Sequence, residues 1–220
     1  MKSKETEEFT KYYQQKKVTG TYDSQREGND YRKEKRKIEL KIFLELIDKK
    51  PNENVLELGC SSGFLTQHLG KIIAIDTSED MLKIAHGKNP LAKCIPADMF
   101  EIPFKDESFD KVVTMRVWNH LNKVDLIRAI REAKRVLKKR GYLIFDAEEK
   151  NLLRKIVAFF YQKITKITGF RIYQYSLKEL KRILYQEGFR IERVKYLKHR
   201  IGRQIILKAE LIDKKHREKM

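Results

Sequence analysis

Cysteine is scarce in this 220-residue sequence: there are two, Cys60 and Cys94, on separate segments and without Cys-x-x-Cys spacing. That excludes a disulfide framework and a cysteine zinc site, assigns no metal, and makes a reducing cytoplasm the expected compartment. No run approaches the ~20 apolar residues a membrane span needs, and the opening "MKSKETEEFTKYYQQ" has no signal-peptide core. The longest apolar patch, Ile156–Tyr161, is closed off by Lys155 and Lys163. Burial is expected for it, weak contact with a membrane surface being the alternative. Internal repeats and low-complexity segments are absent. Acid is scarce in the last third: residues 151–220 hold 19 Lys/Arg against 6 Asp/Glu, whereas 1–150 hold 30 against 25, within a formal net charge of +18. Such a field attracts RNA, anionic membrane or an acidic small substrate, and a lysine-rich soluble surface carries it equally well.

What is present is alternation. "NVLEL", "KIIAID", "LAKCIPAD", "FDKVVTM" and "GYLIFDA" read as five short buried strands separated by helical patterns, which argues for a parallel sheet with helices on both faces. "FLTQHL" reads as a helix ended by Gly70, and Ser78 as the cap of the next helix, with Glu79 and Asp80 in its first turn. Leu126, Ile130, Ala133 and Leu137 fall at helical spacing, with Lys138, Lys139 and Arg140 as the last turn and Gly141 as the stop. Ser176 and Glu179 have capping-box spacing ahead of "LKELKRILYQEG". "FRIERVKYL" and "RQIILKAELI" are joined by the short "KHRIG", so they must pair antiparallel. Upstream, 31–47 reads as a mixed-charge helix with Ile38, Ile42 and Leu46 on its apolar stripe, residues 1–20 as a polar, mobile tail, and 151–170 as a helical insertion.

The first turn, "ELGCSSG", admits three readings. Gly59-Cys60-Ser61-Ser62-Gly63 fits a hydrolase nucleophile elbow, but only a helix and a polar tail precede it, so the upstream strands and oxyanion loop of that fold are missing. A dinucleotide loop wants Gly-x-Gly-x-x-Gly; here Ser61 stands between Gly59 and Gly63, and Phe64 occupies the third glycine's place. Glu57, ending the first strand, would repel a pyrophosphate and favour a cationic cofactor.

The third reading is a resemblance. Over roughly Val55 to Leu197 the order of motifs resembles the class I S-adenosylmethionine-dependent methyltransferases, of the small type that includes the ubiquinone/menaquinone enzymes. "ELGCSSG" is similar to the family's Glu/Asp-x-Gly-x-Gly-x-Gly, with Glu57, Gly59, Ser61 and Gly63 at the matching positions and Cys60 within the loop. Ser61 departs from the usual glycine, an exchange allowed only if the backbone there avoids positive φ. Asp76, 19 positions after Glu57, with Thr77 beside it, stands where an acid accepts from both ribose hydroxyls. Asp98 in "PADMFEIPF" stands where the adenine amino group is received, Met99 where a backbone N–H meets the ring, and Met115 and Arg116 where the fourth strand's loop borders the cofactor. The fold implied is α/β: a Rossmann-like, mostly parallel seven-stranded sheet with a C-terminal antiparallel hairpin. Residues 1–53 would form a tail and helix covering the cofactor site, and 54–220 the core, with the insertion at about 149–170.

For such an enzyme, placement of donor and acceptor is the main catalytic task. His120 in "VWNHL" is the candidate base, with simple packing as the competing role. Tyr22 and Arg26 in "YDSQR" are candidates for folding over the cofactor, Arg26 pairing with its carboxylate. Trp118 and Phe159–Tyr161 would suit an aromatic acceptor or a core. The fourth-strand loop "TMRVWNHL" lacks the Asn/Asp-Pro-Pro-Tyr of exocyclic amino methylation, and neither cysteine follows a proline. A small-molecule acceptor is therefore expected, with RNA methylation through the basic last third and non-catalytic cofactor binding as alternatives. The oligomeric state is not legible.

Overall fold

The computed structural model describes residues 2–15, 22–24, 28–151, 172–198 and 202–212. Most of the expected insertion, Arg26 and the centre of the hairpin link lie outside them. The elements in order are α1 (Lys4–Tyr13), α2 (Asp30–Ile47), β1 (Val55–Leu58), β2 (Ile73–Asp76), α3 (Glu79–Lys88), β3 (Lys93–Pro96), β4 (Phe109–Thr114), α4 (Lys123–Val136), β5 (Leu137–Glu149), β6 (Gln174–Tyr175), α5 (Leu177–Glu187), β7 (Phe189–Lys198) and β8 (Arg203–Leu211). Single 3₁₀ turns lie at Thr66–His68 and Trp118–His120.

One sheet runs β3-β2-β1-β4-β5-β8-β7. The first five strands pair in parallel and β8 enters antiparallel between β5 and β7, which is the seven-stranded arrangement expected, closing hairpin included. The two-residue β6, which pairs with β5, is an eighth strand that no apolar run announces.

Alternation along the strands feeds two cores. Leu56 and Leu58 of β1 join Val112, Phe145 and Leu207 under α4 and α5. Val55, Val113, Ile144 and Ile206 face the other way, onto Phe43, Leu46 and Ile47 of α2 and Leu82 and Ala85 of α3. Because side chains alternate, Glu57 points to the face of Val55 and is almost wholly buried.

Four local expectations need correction, and one open choice, at Trp118, is decided. Residues 4–13 are helix α1, capped by Ser3; its Thr6 is buried and donates to Asp125 at 2.7 Å. The apolar stripe of α2 is rotated: Arg36, Glu39, Phe43, Leu46 and Ile47 are buried and Ile38 is exposed, because Glu39 is drawn inward by Arg116 and Gln204. "FLTQHL" makes only the 3₁₀ turn, since Thr66 turns its hydroxyl onto Glu57. Helix α4 ends at Val136, and Lys138 to Arg140 already belong to β5, where Lys138 pairs with Asp110 and Arg140 with Glu210. Trp118 is core, its ring 4.9 Å from that of Phe145. No helix of the described residues is long and apolar enough to cross a membrane.

Candidate functional site

The carboxyl ends of β1, β2 and β4 meet where the strand order reverses direction in the chain, and the connections leaving them enclose a cavity, the usual ligand position in open α/β sheets. Of the residues expected there, Glu57, Gly59, Cys60, Ser61, Asp76, Thr77, Asp98, Met99, Met115 and Tyr22 all line this one cavity. Gly63 does not: it supports the loop from behind. With φ +79°, a Cβ on it would sit 2.7 Å from Ala85 Cα, so glycine lets α3 pack against the turn.

The loop's backbone is committed internally. Gly59 and Cys60 N–H both donate to Ile75 O, at 2.8 and 3.1 Å, and Gly63 N–H donates to Cys60 O at 3.0 Å. Ser61 N–H donates to Asp76 Oδ2 at 2.9 Å. These are groups that a dinucleotide loop would turn toward a pyrophosphate. With only a 3₁₀ turn following, no long helix dipole backs the loop either. At Gly59 (φ +66°) a Cβ would meet Val117 Cγ2 at 2.7 Å, so side-chain-free backbone is required there too.

Ser61 corrects an expectation. Its φ is +50°, the left-handed region that a serine was expected to avoid. The hydrogen bond to Asp76 and the Oγ contact to Met81 Sδ at 3.6 Å hold it there, against a conformational cost on the order of 1–2 kcal/mol.

The cavity's base is lined by carboxyl groups. Burial pushes the Glu57 carboxyl up to about 8, with Thr66 donating at 2.8 Å to oppose the shift and Asp76 adding to it. Asp76 is also raised by burial, restrained by the N–H groups of Ser78, Ser61 and Thr77. Asp98 accepts from Phe100 N–H at 3.0 Å and is paired with Lys2. A buried acid near neutrality is unstable as an isolated charge, and a cation beside it would restore its ionised form.

Several lining residues were not read from the sequence. Phe9, Thr10 and Tyr13 come from α1, Arg36 from α2, and Phe64, Met81 and Val117 from the loops and helices around the mouth. Phe9 and Tyr13 stand at i, i+4 in α1, a pairing that would have marked an amphipathic helix rather than a tail. The Arg36 guanidinium lies 3.8 Å from the Phe64 ring centroid. Ser62, nearly fully buried, donates to Asp23 at 2.6 Å, tying the Tyr22 segment to the turn.

His120 borders a second, adjoining cavity rather than the first, its ring stacked 4.3 Å from that of Phe9. Arg116, with φ +61°, stands between the two. Its guanidinium pairs with the buried Glu39, its N–H donates to Asp146 Oδ1 at 2.6 Å, and Gln204 Nε2 bridges Glu39 and Asp146 at 2.7 and 2.6 Å. Burial and the neighbouring Glu39 push Asp146 up to about 7. Burial opposes the Arg116 charge, but Glu39 outweighs it and holds the guanidinium above its ordinary value.

A cradle of three carboxylates, with its glycine turn closed to phosphate, defines a class: an open α/β fold whose ligand cavity suits positive charge better than a pyrophosphate. The comparisons make this specific. A family model described as "Methyltransferase domain" matches residues 56–145, and relatives of the chain are named S-adenosylmethionine-dependent methyltransferases. The chain is 27% identical, over 67% of its length and 53% of the relative's, to a probable S-adenosylmethionine-dependent methyltransferase of Mycobacterium tuberculosis. It is 27% identical to the demethylmenaquinone methyltransferase of Thermotoga maritima, covering 69% of this chain and 76% of that one. The crystal structure of magnesium protoporphyrin IX methyltransferase from Synechocystis with bound S-adenosylmethionine superposes with a TM-score of 0.71 at 19% identity, over 94% and 97% of the chains. The chain spans two thirds or less of several curated relatives: 66%, 32% and 53% of three of them.

Proposed function

We propose that the chain binds S-adenosylmethionine in the carboxylate-lined cavity and transfers its methyl group to a small molecule. The observation that carries this reading is the pairing of an acid-lined cavity with a glycine turn whose N–H groups are already satisfied. That combination fits a cofactor bearing net positive charge and disfavours one bearing a pyrophosphate. Asp76 would hold the ribose hydroxyls, Asp98 and the Met99 N–H the adenine, and Glu57 would supply the negative field. Asp98 would have to release Lys2 to do so.

When bound, the cofactor supplies a methyl group made electrophilic by the sulfonium. The chain's own contribution is placement, an effect on the order of 7–11 kcal/mol in well-oriented reactions. Tyr22, tied down through Asp23 and Ser62, and Phe9 and Tyr13 of α1 would cover the cavity and exclude water, so that these described residues of the N-terminal segment would act as its cover. His120, on the adjoining cavity, would take the acceptor's proton where the acceptor is a hydroxyl or acidic carbon. Two of the proteins it resembles are named for demethylmenaquinone and magnesium protoporphyrin IX, which supports a small acceptor.

Calorimetry with S-adenosylmethionine on the wild type, Asp76→Ala and Asp98→Ala tests the donor site. About tenfold weaker binding is expected for each; neither variant losing even threefold would defeat the assignment. Labelled donor offered to cellular RNA and to a small-molecule extract tests the acceptor, and label found only in RNA would overturn it.

A further inference from the structure

The two adjoining cavities share Tyr13, Tyr22, Arg36 and Arg116 as a common wall, yet the ionisable residues that each has to itself are of opposite kinds. The first gathers Glu57, Asp76 and Asp98. Beyond the shared Arg36 and Arg116, the latter already paired with Glu39, the second adds Arg32 and Lys35, and Glu148 is the one carboxylate among its described lining residues. Arg32, Lys35 and Arg36 stand at i, i+3 and i+4 of α2, so one face of that helix delivers three cations to one wall. In a partly enclosed space the attraction of such a wall for an anion exceeds what it would be in open water.

A second observation does not depend on charge. Gln204 lines this cavity and is 1% exposed. Its amide orientation is fixed, because Nε2 donates to Glu39, which already accepts from Arg116. Its Oε1 therefore faces away from those carboxylates, and among the described residues it has no hydrogen-bond partner. Asn119, on the same cavity and 6% exposed, likewise leaves Oδ1 without one. Buried acceptors are normally satisfied; two left open on one cavity call for a ligand that donates.

We propose that the second cavity holds the methyl acceptor, and that this acceptor is a small organic anion which also carries a hydroxyl or N–H donor. The cations meet its charge, and the carbonyls of Gln204 and Asn119 meet its donor. Tyr12, Tyr13 and Tyr22 offer flat apolar faces to its body. The proposal rests on the reading of the first cavity as the donor's, since the shared wall is what sets the two ligands side by side.

The test uses the full chain saturated with S-adenosylhomocysteine, titrated calorimetrically with salicylate, with its neutral amide 2-hydroxybenzamide, and with benzoate, which lacks the hydroxyl. Saturable binding of salicylate is expected, with 2-hydroxybenzamide and benzoate each about tenfold weaker. In the double variant Arg32→Gln/Lys35→Gln, salicylate should lose about tenfold, while S-adenosylhomocysteine binds as before. Equal binding of salicylate and its amide, absence of saturable salicylate binding, or an unchanged double variant would overturn the proposal alone. Failure of S-adenosylhomocysteine to bind the wild type would overturn the donor-site reading and this proposal with it. An RNA oligonucleotide that displaces salicylate, and does so less well with the double variant, would replace the small acceptor with RNA.

Discussion

The most informative perturbation is Glu57→Gln, because one buried carboxyl links ligand charge, pH and stability. Burial sets the Glu57 pKa at about 8 in the free protein, so the group carries a proton at neutral pH. A cation bound within about 4–6 Å lowers a carboxyl pKa by ~1–3 units. Taking two units, to about 6, linkage gives an affinity for S-adenosylmethionine that rises about 25-fold between pH 6 and pH 8, with release of a proton on binding. Glutamine keeps the acceptor for Thr66 but cannot titrate, so the variant's affinity should lack this rise. Comparing the two proteins cancels titration of the ligand and of Asp146. Stability moves the other way. The folded pKa lies above the ordinary 4.5, so the native state holds a proton that the unfolded chain has lost. Its contribution is fully present below about pH 4.5 and fades as pH rises through 8, by up to ~1.4 kcal/mol per pH unit. Thermal melts from pH 5 to 8 should therefore favour the variant increasingly. Identical pH profiles of binding and melting in wild type and variant would refute the reasoning.

Three further results are expected. Gly59→Ala should destabilise by ~2–3 kcal/mol in a denaturant titration, from positive φ and the Val117 overlap together; adding Val117→Ala should recover only part, since the backbone strain remains. Ser61→Gly should leave stability within about 1 kcal/mol, the relieved backbone offsetting the larger unfolded-state entropy, and cofactor affinity within about threefold; a tenfold loss of affinity would assign the hydroxyl to the ligand. Glu39→Ala should cost ~3–5 kcal/mol, because Arg116 and Gln204 lose their shared buried partner, and a shift under 1 kcal/mol by urea unfolding would contradict that.

The sheet was legible because its code is local. Short apolar runs at β1 to β5 can be satisfied only by burial on both faces, and a five-residue link between the last two strands permits only antiparallel pairing. The lining acids were legible for the same reason: each closes a strand or opens the loop after it. What escaped depends on partners far along the chain. The inward face of α2 is chosen by Glu39, whose reasons for burial, Arg116 and Gln204, lie 77 and 165 positions away. Helix α1 is anchored by Ser3 and Thr6 on Asp125, more than a hundred residues downstream. The left-handed Ser61 is held by Asp76 on the next strand, which outweighs the residue's own preference.

The most direct measurement of the central claim is a crystal structure of the chain grown with S-adenosylhomocysteine. The account predicts ribose on Asp76, adenine beside Asp98 and Met99 with Lys2 displaced, and the amino-acid portion lying over the Glu57 turn. Ligand found outside that cavity, or a phosphate-bearing ligand taken up against the Gly59–Gly63 backbone in its place, would contradict it.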